Sequence, residues 1–175
     1  MTTTGSRIMF RLVALAAAGL AACQAGGIDP PAVDDTPGII TLATGTQCGH
    51  SDNAPTASWL DTADALQIAY RRMTRQTLVA NTLPAQTPDF AKYGVLQVFM
   101  GQQSTGGYQL RLLHPRVEHL ASGATVRIAW QSPPPGALTP QVITSPCLLL
   151  AVPRGSYQSL TVTDQTGRAR AVAAL

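Results

Sequence analysis

Charge is scarce in this chain, and what there is lies unevenly distributed. Only 12% of the 175 residues are Asp, Glu, Lys or Arg. Glu118 is the only glutamate and Lys92 the only lysine. A paired-glutamate acid/base site is therefore ruled out by composition, and so is a lysine-rich surface for nucleic acid. Aromatic residues make up only 5%, so a core must rest on Leu, Val, Ile and Ala. No apolar run reaches the 20 or so residues that a membrane-spanning helix needs. The longest uncharged apolar run near the start is Leu12–Ala22, LVALAAAGLAA.

That run has the length of a signal-peptide h-region, and Arg7 and Arg11 supply the positive n-region before it. Met9 is an alternative start, because a complete signal also begins there. The run ends in Leu20-Ala21-Ala22-Cys23, which resembles the lipobox of bacterial lipoproteins. Small residues let the backbone fit the peptidase, and the thiol that follows accepts a diacylglycerol. The resemblance implies residues 1–22 as a signal peptide, lipid on Cys23, and an envelope location. Gln24 after the cysteine favours the outer membrane facing the periplasm. The signal carries two of the 12 basic residues, so ten remain against nine acids, a mature net charge of +1. No basic field is left to attract nucleic acid.

Two cysteines remain, Cys48 and Cys147. In an oxidising compartment a disulfide between them is the expectation. A metal pair fits less well: His50 lies near Cys48, but Cys147 has no comparable neighbour. No metal site and no cofactor are expected.

Residues 24–38 are rich in Gly, Pro and Asp and read as a tether, in which Asp34 and Asp35 are solvated acids. Residues 39–175 read as one globular domain. Ile39–Thr44 is expected as a first strand. A helix should follow, capped by Ser58, with Asp61 and Asp64 in its first turns. Its apolar face carries Trp59, Ala63, Leu66, Tyr70 and Met73, with Arg71, Arg72 and Arg75 near its C-terminal end. Leu78–Asp89 reads as a loop.

From residue 94 the pattern changes to strands. They are expected at Val95–Met100, Tyr108–Leu113, Val117–Ala121, Thr125–Gln131, within Gln141–Val152, at Ser159–Asp164 and at Ala169–Ala173. Ser122-Gly123 and Gln165-Thr166-Gly167 mark turns, and Ser132–Gly136 (SPPPG) a stiff loop. The fold class is α+β, mainly β: one amphipathic helix followed by about seven or eight short strands in a sandwich or open barrel.

The order Val95–Gly101, Ser104–Tyr108, Trp130–Gly136, Val142–Cys147, Val152–Arg154 and Leu160–Asp164 resembles the PrcB family, through its C-terminal domain, over about residues 94–165. That family takes its name from a lipoprotein associated with a surface protease complex. The resemblance implies an accessory or binding subunit, with a protein partner such as a protease, and not an enzyme. Cys48-Gly49 and Cys147 are similar to the paired cysteines of some proteobacterial members. Thr105-Gly106-Gly107-Tyr108 also resembles the Thr-Thr-Gly-Tyr/Phe loop of chagasin-type cysteine-peptidase inhibitors, which implies inhibition as the alternative; a structural envelope lipoprotein is a third reading. This sequence departs from the inhibitor pattern, because Val152-Pro153-Arg154-Gly155 stands where an Arg-Pro-Trp loop is expected.

Among the loops, residues 101–107 (GQQSTGG) are the best contact candidate. Gln103, Ser104, Thr105, Gly106, Gly107 and Tyr108 form the expected partner-binding loop. Gly106 and Gly107 permit positive φ and close approach, and Tyr108 offers a flat apolar face. A tight turn between core strands explains the same residues. Ser104 is not in a nucleophile elbow, and His50, His114 and His119 stand in no spacing that suggests a triad or a metal pair.

Overall fold

The computed structural model describes residues 37–74, 86–120 and 123–175. The signal, Cys23, the tether up to residue 36, Arg75, most of the expected 78–89 loop and Ser122 lie outside the described residues. The described chain divides into nine strands and one helix. In order they are β1 (Ile40–Gly45), β2 (Thr56–Leu60), α1 (Ala63–Thr74), β3 (Tyr93–Phe99), β4 (Gln109–Leu112) and β5 (Glu118–Leu120), then β6 (Gly123–Gln131), β7 (Cys147–Pro153), β8 (Ser159–Thr163) and β9 (Ala169–Ala174). The strands form two sheets, so the expected mainly-β α+β class holds.

The first sheet runs β1-β7-β3-β2, antiparallel throughout. The second runs β4-β6-β8-β9, with β5 also on β6. Only β6 and β8 pair in parallel, because the chain leaves for β7 in the other sheet between them. β4 and β5 are two halves of one partner strand of β6, broken at Leu113–Val117 around Pro115, which cannot donate to a ladder.

The continuous apolar run of β7 now has its reason. Its two faces are both covered, so alternation is lost. Leu148, Leu150 and Val152 point with Leu96 and Val98 towards Val126, Ile128, Leu160 and Val162 of the second sheet. Cys147 and Leu149 point the other way, with Val95 and Phe99, onto Leu66 and Met73 of α1. The layers are therefore helix, sheet and sheet, with two apolar cores.

The expected helix start is corrected. Ser58 and Trp59 belong to β2, where Ser58 lies opposite Gln97 and Trp59 opposite Leu96. Short β2 carries Ala57 and Trp59 to one core and Leu60 to the other, a period of two that a helical reading of Trp59 obscured. The true cap is Thr62, whose hydroxyl accepts from Ala65 N at 3.2 Å. Asp61 stands before the helix and instead accepts from Trp59 Nε1 at 2.7 Å and from Arg154 at 2.9 Å. Leu66, Tyr70 and Met73 do form the packed face.

Trp59 also explains Gly94. A Cβ on Gly94 would lie 1.9 Å from Cζ2 of the indole. Gly94→Ala must therefore expel Trp59 from the sheet face, and it is expected to destabilise the domain by about 1–3 kcal/mol, as overpacking does. In Trp59→Leu the same glycine substitution should cost far less, so denaturation of the four-member cycle would give strongly non-additive values.

At the β8–β9 turn, Asp164 is 1% exposed. Its Oδ1 accepts from the Thr166 hydroxyl at 2.7 Å, Thr166 N at 2.9 Å and Arg168 N at 3.1 Å. Its Oδ2 accepts from Arg170 at 2.8 Å, and the Arg170 guanidinium lies over the Trp130 ring. The Thr166 hydroxyl bond, outweighing the opposing effect of burial and helped by the other donors, holds the carboxyl far below the usual carboxylate range. The unfolded chain thus takes up the proton first. The stabilisation is complete above about pH 4 and is lost as pH falls from there through the folded value. Thermal melts of Asp164→Asn should lie well below wild type at pH 7, with the gap closing progressively below about pH 4.

Candidate functional site

The 101–108 loop leaves β3 at the end of the first sheet where β7 begins. Met100 N donates to Pro146 O at 2.9 Å, which continues the pairing past Phe99. Gly101 then turns with φ 89°, and a Cβ there would sit 2.3 Å from Asn53 O. This glycine is required by close approach to the 52–54 segment, to which Gln102 N also donates (to Asp52 O, 2.9 Å).

Gln103 pairs with Thr144 in both directions, at 2.8 and 2.9 Å. The Thr144 hydroxyl donates to Thr105 O at 2.9 Å, and Gly106 N donates to Pro140 O at 2.9 Å. Gly106 is buried, with Pro140 3.1 Å from where its Cβ would be. Gly107 has φ 92° and faces Pro133 at 3.1 Å. Both glycines therefore answer to neighbours in their own chain: a positive φ at one, proline rings close against both. Tyr108 is half-buried against the inter-sheet core, while Ser104 is exposed.

The 101–108 and 139–145 segments thus form one cross-bonded unit. A third segment joins it. Ser145 N donates to Thr46 O at 2.9 Å, Cys48 N to Ser145 O at 3.0 Å, and Gln47 Nε2 to Ile143 O at 3.1 Å. The Cys48–Cys147 disulfide closes this junction beneath the surface, with both cysteines fully buried and Cα atoms 6.0 Å apart. Between the segments lies a groove of about 380 Å³, whose walls include His50, Gln102, Ile143 and Ser145. The Pro140 and Thr144 contributions were not legible as part of this site, because only the fold brings residues some forty positions apart into register.

The histidines do not assemble acid/base machinery. The same His50 nitrogen, Nε2, lies 3.2 Å from Thr56 Oγ1 and 3.5 Å from Asp52 Oδ2. A relay needs the acid and the nucleophile on opposite ring nitrogens. His50 is stacked on Phe99 at 4.3 Å, and His119 lies tilted on Tyr157. Among the described residues, no three of His, Cys, Asp and Glu are grouped to hold a metal.

No curated protein and no solved structure matches this chain. A family model described as PrcB C-terminal matches residues 95–153, a span that contains most of β3, the 101–108 loop, the 132–146 loop and β7. Both long loops of the cross-bonded unit thus fall inside the match, and over these residues the chain is similar to the PrcB C-terminal domain.

Proposed function

We propose that this chain is a non-catalytic accessory subunit that binds a protein partner in an envelope protease complex from a lipid anchor on Cys23. The family match over residues 95–153 carries the reading, since the family is named for a protease-complex subunit. Two further points support it. The loops at the β7 end form a hydrogen-bonded surface on which Ser104 is exposed, and the histidines lack the geometry of a relay. Gln103–Tyr108 and the segments bonded to them are the contact end in this reading.

Two measurements test it. Palmitate should label the wild-type chain and not Cys23→Ala; equal labelling removes the anchor. Ser104→Arg places a long cation on the exposed loop, with wild-type melting expected. It should break co-purification of the membrane-bound protein with its protease complex, and intact co-purification would move the contact elsewhere.

A further inference from the structure

We propose that the 137–143 segment is the element this domain inserts into an uncharged, apolar cleft on its protein partner. The proposal rests on the accessory-subunit reading and specifies which loop makes the contact and what it meets.

Three of the seven exposed large hydrophobic residues among those described fall within six positions here: Leu138, fully exposed, Val142 at 50% and Ile143 at 66%. Scattered exposed aliphatics are ordinary, whereas a cluster on one projecting loop marks a contact. This loop is also held in shape. Pro133, Pro134 and Pro135 precede it, Pro140 lies within it and Pro146 follows, each with φ locked. The Gly106–Pro140, Gln103–Thr144 and Gln47–Ile143 hydrogen bonds fasten its C-terminal half. Docking such a loop forfeits little conformational freedom.

The charge pattern specifies the partner. Residues 101–108 and 132–146 contain no Asp, Glu, Lys or Arg, and the 46–54 segment bonded to them adds only Asp52, which lies 3.5 Å from His50 Nε2. A charged cleft closing over these residues would desolvate its own charges without giving them partners, which is strongly unfavourable. A neutral apolar cleft has no such cost. An anionic lipid surface is recognised through Lys and Arg, which these segments lack. A second copy would have to receive an aliphatic tip in the groove beside the loop, where Ile143 is the one aliphatic side chain among Gln, Ser, Thr and His walls.

The test uses the full lipidated chain in its own membrane with a benzophenone amino acid placed singly at Leu138, Ile143, Thr105, Ile68 or Val172. Irradiation is expected to give the same discrete protein adduct from 138 and 143 and none from 68 or 172. Leu138→Asp with Ile143→Asp should weaken co-purification at least tenfold, about the effect of losing a buried anchor, with an unchanged melting temperature. Raising salt from about 0.05 to about 0.5 M should change binding of the wild type by less than about twofold, because no charge pair is screened. Adducts from Thr105 but not from Leu138 would overturn the insertion and leave the accessory reading standing. Adducts to lipid or to a second copy, unimpaired binding of the double Asp variant, or steep salt weakening would overturn it too. No adduct and no co-purification at all would remove both.

Discussion

Replacing Cys48 and Cys147 together by alanine is expected to lower the unfolding free energy by about 4–5 kcal/mol, the largest effect of any change considered. The two residues are 99 positions apart in sequence. Cross-linking so long a loop removes much of the entropy of the unfolded chain, and the chain-entropy model gives about 4.7 kcal/mol for a loop near 100 residues. The bond also acts in the folded state. Cys48 lies in the 46–51 segment, which has few ladder bonds, and Cys147 begins β7, the strand that joins β1 to β3. Without the bond, the segment is held by its hydrogen bonds to Ser145 and Ile143 and by the His50 stack on Phe99. Chemical denaturation of wild type and double variant, with m-values compared, is the measurement. A loss under about 1 kcal/mol would mean that the unfolded chain is already compact around this loop. Because both cysteines are fully buried, reductant should act on the folded protein only at the rate at which the junction opens, so thiol appearance should follow unfolding kinetics.

Leu150→Ala is expected to cost about 3–5 kcal/mol, the upper part of the range for leucine truncation in a core. Leu150 is fully buried at the middle of β7, flanked by Thr41 of β1 and Leu96 of β3. Its side chain enters the core between the sheets. Collapse into the space it leaves would need β7 to move inward, and ladders to β1 and β3 hold it in place on both sides. The cavity should therefore persist, with its full penalty. Leu150→Met keeps most of the volume and should cost less than about 1.5 kcal/mol. Thermal and urea unfolding of both variants measures the difference; equal losses would show that shape rather than volume matters at this position. Typical domains have only about 5–15 kcal/mol in total, so Leu150→Ala in the disulfide-free protein is expected to be largely unfolded at 37 °C.

The sequence alone carried the mainly-β class, the packed face of α1 from Leu66 to Met73, most strand positions after residue 94, the turn at Gln165–Gly167 and the pairing of Cys48 with Cys147. These are local periodicities, turn residues and a two-cysteine count, all of which act through near neighbours or a single choice. It carried the resemblance to the PrcB C-terminal domain as well, through the order of loops and strands. It misplaced Ser58 and Trp59, because five residues of strand next to a helix also satisfy helical spacing. Tertiary structure alone decided which faces of β7 meet which layer, since an unbroken apolar run gives no preference to either side. It alone decided why Gly94 and Gly101 must be glycine, since a Trp59 ring and an Asn53 carbonyl, from residues 35 and 48 positions away, occupy the space, and it alone set Gly106 and Gly107 close against Pro140 and Pro133. And it alone gathered 46–51, 101–108 and 139–145 at one end of the domain, because backbone pairing between distant segments depends on the register of the whole sheet and on no residue's own preference.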